Sequence, residues 1–128
     1  MRAIVLLALL LAGSAASAGP DPGGAAIVEV RLSSFDFSPE TIRLRAGEPV
    51  VLHLVNSGRG GHNFSAPQFF AAATLAPGQA ALVRRGTIEV PSRRSVQVRL
   101  VPARGRYPLR CTHTLHTVLG MRGEIVVE

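Results

Sequence analysis

GRYPLRCTHTLHTVLGMRGEIVVE, Gly105 to Glu128, closes the chain and reads as strand, loop, strand. If the run from Gly105 to Cys111 is extended, Tyr107, Leu109 and Cys111 share one face, because strand side chains alternate with period two. GEIVVE alternates again after the loop. With the Cys111 face turned inward, the Tyr107 hydroxyl needs a polar partner. In Greek-key sandwiches such a tyrosine often bonds back to a nearby turn.

The same pattern extends outward from this stretch. IVEVRLSSFDF, Ile27 to Phe37, alternates, and TIRLRAG, Thr41 to Gly47, sets Ile42 and Leu44 against Arg43 and Arg45. PVVLHLVNSG, Pro49 to Gly58, is apolar on both faces, as a central sandwich strand is. TIEVPS and SVQVRLVP, the latter Ser95 to Pro102, alternate again. Gly, Pro, Asn and Ser punctuate these runs about every ten residues, the rhythm of an all-β, Greek-key β-sandwich. One segment breaks it. APQFFAAATLAPG, Ala66 to Gly78, is Ala-rich with Pro near its start and Pro-Gly at its end, which predicts a short helical insertion or two turns across one end of the sandwich.

The first eighteen residues, MRAIVLLALLLAGSAASA, carry Arg2, an apolar stretch from Ile4 to Ala12 and an Ala16-Ser17-Ala18 ending. They read as a secretory signal, residues 1–18, because the apolar stretch falls short of the roughly twenty residues that cross a bilayer. No cysteine follows the cleavage point, so no lipid anchor and no stable membrane anchor are expected. GPDPGGAA, residues 19–26, reads as a flexible leader, and residues 27–128 as one domain. Export implies the periplasm or another secreted location.

All fourteen basic residues are arginine, against eight acidic ones; without Arg2 the sum is 13 − 8, or +5. Nucleic-acid binders concentrate such charge on one face and interleave aromatics. Here the arginines are scattered through the sequence and there are six aromatics, so no nucleic-acid partner is expected. The surplus favours an acidic protein partner or a membrane surface.

The chemistry sits in the closing loop. Cys111, His116 and Met121 are spaced Cys-x4-His-x4-Met, and GGHNF adds His62 just after the central strand. A lone cysteine in an exported domain cannot form an internal disulfide, and it is either buried or held by a metal. One thiolate, two imidazoles and a thioether make the ligand set of a blue-copper electron-transfer site. His113, two residues after Cys111, competes with His116 as the second imidazole. His53, mid-strand, reads as a structural or surface histidine, and Thr112, Thr114 and Thr117 as loop hydrogen-bonders.

In order and spacing these motifs resemble the cupredoxins, the family of plastocyanin, azurin, pseudoazurin and rusticyanin. The likeness runs from FDFSPETIRLRAGEPVVLHLVNSG through HNF to the tyrosine four residues before the cysteine and the Met ending. The Cys-x4-His-x4-Met loop looks most like that of rusticyanin, and this likeness implies His116 as the ligand, since seven residues separate His113 from Met121, and leaves His113 at the surface or behind a ligand. The resemblance implies that Asn63, directly after the first histidine, helps fix the ligand loops and bonds toward the thiolate. It also implies one copper ion cycling between Cu(I) and Cu(II), held by His62, Cys111, His116 and Met121. The expected function is that of a periplasmic, monomeric one-electron carrier between redox partner proteins, without substrate turnover. The alternative is a copper chaperone or storage protein of the same fold, using an accessible, exchangeable site. A Cys-His hydrolase would need an exposed thiolate beside a base, and an inward Cys111 does not offer one.

Overall fold

The computed structural model describes residues 24–113 and 119–128. Among the described residues ten strands form two sheets. The first sheet contains β1 (Ala26–Ser33), β2 (Asp36–Ser38), β4 (Val50–Asn56), β6 (Thr74–Leu75) and β8 (Arg94–Val101), in the order β2-β1-β4-β8-β6. The second contains β3 (Thr41–Leu44), β5 (His62–Ser65), β7 (Thr87–Val90), β9 (Gly105–Arg110) and β10 (Arg122–Val127), in the order β3-β10-β9-β5-β7. β1 runs parallel to β4, and β3 parallel to β10; the other pairs are antiparallel. This is the all-β sandwich the alternation predicts, and β4 is central to its sheet as its apolar run requires. Among the described residues no helix is long and apolar enough to cross a membrane.

The inner faces supply the core. Val30, Leu32, Phe37, Leu52, Leu54 and Val98 of the first sheet meet Ile42, Phe64, Ile88, Leu109 and Ile125 of the second. Phe37 and Phe64 bridge the layers edge to face, with ring centroids 6.2 Å apart. Phe64 also meets Phe70 at 6.0 Å. Edge-to-face rings contribute about 0.5–1.5 kcal/mol beyond their buried area.

Two segments differ from the sequence expectation. The run from Ile27 to Phe37 is not one strand but a hairpin of β1 and β2, turning at Phe35 with φ 70°. Val30 and Leu32 are inward at even positions, and Phe37 is inward at an odd one. That slip of phase marks the turn, and Leu32 and Phe37 end up as cross-strand partners on one face. The insertion at Ala66–Gly78 does contain the short helix, α1 (Pro67–Ala72), which starts on a proline suited to a first helical turn and buries Phe69 and Phe70. It then adds β6, which pairs Thr74 with Val101 and Leu75 with Leu100 and so becomes an edge of the first sheet.

Tyr107 closes one end of the sandwich, near the start of β9. It shares the inward side of β9 with Leu109, packs against Phe69 at 5.6 Å, and is partly buried. Its hydroxyl reaches the carbonyls of Ala103 at 2.9 Å and Arg104 at 3.1 Å, four and three residues back respectively. Gly105 makes the approach possible: at φ +153° a Cβ there would stand 2.9 Å from the tyrosine ring. Tyr107→Phe is therefore expected to cost about 0.5–1.5 kcal/mol, the net worth of one such hydrogen bond. Urea denaturation checks this, and a change of only a few tenths would show that the hydroxyl contributes nothing.

Candidate metal centre

Two crossings between the sheets build the end of the sandwich opposite Tyr107. β4 leads into β5 through residues 57–61, and β7 leads into β8 through residues 91–93. Asn56, 1% exposed at the end of β4, ties both together. Its Nδ2 donates to the Gly60 carbonyl at 2.8 Å and the Val90 carbonyl at 3.0 Å, and its Oδ1 accepts from the Gly58 N–H at 3.0 Å. Ser92 Oγ adds a bond to the Gly58 carbonyl at 2.7 Å. This lacing delivers His62 as the first residue of β5, paired with Val90 and 2% exposed. By strand alternation His62 shares the inner face with Phe64, while Asn63 and Ser65 turn outward.

Cys111 follows the last residue of β9 and Met121 precedes the first of β10. Both are fully buried members of the core cluster, and the Cys111 N–H donates to the Met121 carbonyl at 3.1 Å, closing the neck of the loop. The cysteine is thus inward, as the period-two reading requires.

Asn63 joins the two halves. Its N–H points at Cys111 Sγ at 3.5 Å. Its side-chain Oδ1 accepts from the Thr112 N–H at 2.8 Å, and its Nδ2 donates to Thr112 Oγ1 at 2.6 Å and to Glu89 Oε1 at 3.0 Å. Both amide hydrogens and the amide oxygen are engaged, which holds β5 and the cysteine segment in one register. The bonding toward sulfur is the role the family resemblance implied for Asn63. Thr112 is a loop hydrogen-bonder, as expected, and its partner is now identified.

His113 is half exposed, and its Nε2 lies 3.2 Å from Glu89 Oε2. Glu89 therefore contacts both Asn63 and His113 while remaining well exposed itself. His116, Thr114 and Thr117 lie outside the described residues. Among the described residues no group of three or more His, Cys, Asp or Glu side chains is placed to hold a metal ion; His62, Cys111 and the Met121 thioether are buried at this end, and His113 lies at its surface. His53 lies elsewhere, partly exposed on β4 with its Nδ1 3.9 Å from Glu29 Oε2 across the strand pair.

Sequence reasoning missed Asn56, Ser92 and Glu89. The NSG after β4 does announce a turn, but nothing local says that its asparagine spans to Val90. Glu89 is one exposed residue of an alternating strand, and only its register with Asn63 reveals it.

Asn63→Ala should cost about 1–3 kcal/mol, since it strands the Thr112 N–H and removes a buried amide's whole set of bonds. Glu89→Ala should cost less than about 1 kcal/mol, because one side of its contact faces water. Yet in both variants the Thr112 amide should exchange faster with solvent. Hydrogen exchange read by NMR decides it: unchanged protection at Thr112 in Asn63→Ala would mean that the linkage does not organise the loop.

A family model described as the cupredoxin-like domain matches residues 2–127. No curated protein matches the chain. Among solved structures, auracyanin B is 23% identical, with 81% of this chain and 89% of that one covered at a TM-score of 0.58. A dithionite-reduced auracyanin from Roseiflexus castenholzii is 18% identical over 82% of this chain and 99% of its own, at 0.61. The multicopper oxidase McoA of Aquifex aeolicus is 15% identical at 0.63, over 86% of this chain but 31% of its own. At these identities the likeness is one of fold. With a model matched along nearly its whole length, the chain belongs to the cupredoxin-like domain family.

Proposed function

We propose that this protein is a one-electron carrier that holds a single copper ion through His62, Cys111, His116 and Met121. The observation that carries the reading is the Asn63 N–H directed at the sulfur of a fully buried Cys111. A backbone donor aimed at sulfur stabilises the thiolate form, which is the form that binds metal. Bound there, copper supplies the one-electron couple. The rest is done by the chain. Asn56 and Asn63 hold the two donor segments in place, so His62 and Cys111 need not move between redox states. The core around Met121 keeps water from the sulfur donors and disfavours the more highly charged state.

The donor set fits copper: a thiolate, imidazoles and a weakly binding thioether are soft and borderline ligands. Burial of His62, Cys111 and Met121 favours a retained ion over the exchangeable one that a chaperone needs. It also argues against a thiol nucleophile, which must be open to substrate. The engagement of His113 by Glu89 supports His116 as the second imidazole. Among similar structures, the auracyanin A of Chloroflexus aurantiacus is described as a "blue" copper protein. The signal-like start supports a periplasmic setting, with acidic redox proteins as partners.

The test is optical and electrochemical. Copper-loaded protein should show an intense visible thiolate band that vanishes on reduction and in Cys111→Ser. His62→Ala and His116→Ala should lose or grossly alter it, and His113→Ala should leave it nearly unchanged. Met121→Gln, a harder oxygen donor, should lower the reduction potential, and Met121→Leu should raise it. About 59 mV corresponds to a tenfold change for one electron, so such shifts are readable by voltammetry. A colourless adduct with all four ligands intact would sink the reading.

A further inference from the structure

The arginines look scattered along the sequence, but three of them meet in space. Arg59 stands on the crossing between β4 and β5, Arg93 on the crossing between β7 and β8, and Arg94 opens β8 as the register partner of Asn56. The bonds from Asn56 and Ser92 that lace these crossings hold the three backbones together. All three residues are exposed. Arg93 and Arg94 line a depression of about 360 Å³ with Val55, Asn56, Ser57 and Ser95.

Among the described residues these three belong with the arginines that form no ion pair, and their shared place at the His62 end is what distinguishes them. Arg31, Arg43 and Arg106 lie 2.9 to 3.2 Å from Glu29, Glu128 and Glu124 respectively. Among the described residues no carboxylate pairs with Arg59, Arg93 or Arg94, and the nearby Glu89 is engaged by Asn63 and His113. Arg93 further holds a left-handed backbone at φ 57°, a conformation that favours glycine or asparagine over a long side chain. Arg85 has a similar backbone at φ 52°, so it is the place of Arg93 beside the His62 end, not its conformation, that sets it apart.

We propose that Arg59, Arg93 and Arg94 form a docking surface for an acidic protein that approaches the His62 end. The inference rests on the carrier reading, because it names the partner chemistry of that same site. Guanidinium forks pair bidentately with carboxylates, and steering by such charges raises association rates. The surroundings choose among anions. Val55 is the one apolar residue beside Asn56, Ser57 and Ser95 in the lining, so the depression lacks the large apolar anchors with which a basic surface enters a lipid headgroup layer. No aromatic side chain lines it either, so nucleobases have nothing to stack on there.

The experiment is an NMR titration of ¹⁵N-labelled, metal-free protein with the paramagnetic anion hexacyanochromate(III), then with a poly-aspartate peptide. Because no copper is needed, it stays readable whatever the optical test of the carrier reading shows. Broadening and shifts should concentrate on the amides of residues 57–61 and 92–95. Poly-aspartate affinity should fall by about tenfold or more in R59S/R93S/R94S, and with added salt, but not in the control R84S/R85S/R104S. If the triple variant folds poorly, R93G with R59Q serves, since glycine accepts the backbone at residue 93. Equal loss in the control, or signals spread evenly over all arginines, would overturn the proposal. So would arginine-dependent binding to phosphatidylglycerol vesicles without binding to poly-aspartate, which would make the surface a membrane contact.

Discussion

The four bonds made by Asn63 are the constraint on which this end of the molecule depends. β5 and the cysteine segment come from opposite ends of the second half of the chain, and the β5–β9 ladder itself contains only the Ser65–Arg110 pair. So short a ladder cannot by itself set where Cys111 stands relative to His62. Asn63 supplies the missing register from both its backbone and its side chain, to Cys111 Sγ, to Thr112 twice and to Glu89. Because the amide is buried, each of these bonds is costly to leave unmade, which is what makes the linkage stiff.

The sandwich explains why this stiffness is available. Phe37, Phe64 and Phe70 lock the two sheets edge to face directly behind His62, and Cys111 and Met121 are part of the same packed cluster. A close-packed interior transmits little freedom to what is embedded in it. The site is therefore an extension of the core to one end, and among the described residues the side chains of His113, Glu89, Leu119 and the arginines of the crossings face solvent there.

Close approach also sets the second sheet. Gly123 of β10 lies so near the chain leading into β3 that an added Cβ would stand 2.5 Å from the Glu40 carbonyl. That contact lets Glu124 donate to the same carbonyl and begin the parallel β3–β10 pairing. At the far end, Gly105 and Tyr107 make the equivalent accommodation for the turn between β8 and β9.

The sequence by itself determined the strands, the central place of β4, the short helix, the inward Cys111 and the tyrosine bonded back to its turn. Each of these rests on period-two alternation or on a spacing of a few residues, and such local rules survive in one dimension. The phase slip between Leu32 and Phe37 was also present in the sequence, although alternation alone read across it. Only the tertiary structure decided that β6 joins the first sheet, that Asn56 fastens two crossings, that Glu89 meets both Asn63 and His113, and that Arg59, Arg93 and Arg94 share one surface. These pairs lie from four residues to more than thirty apart in the chain, and they meet because sheet register, a property of the assembled sandwich, places them side by side.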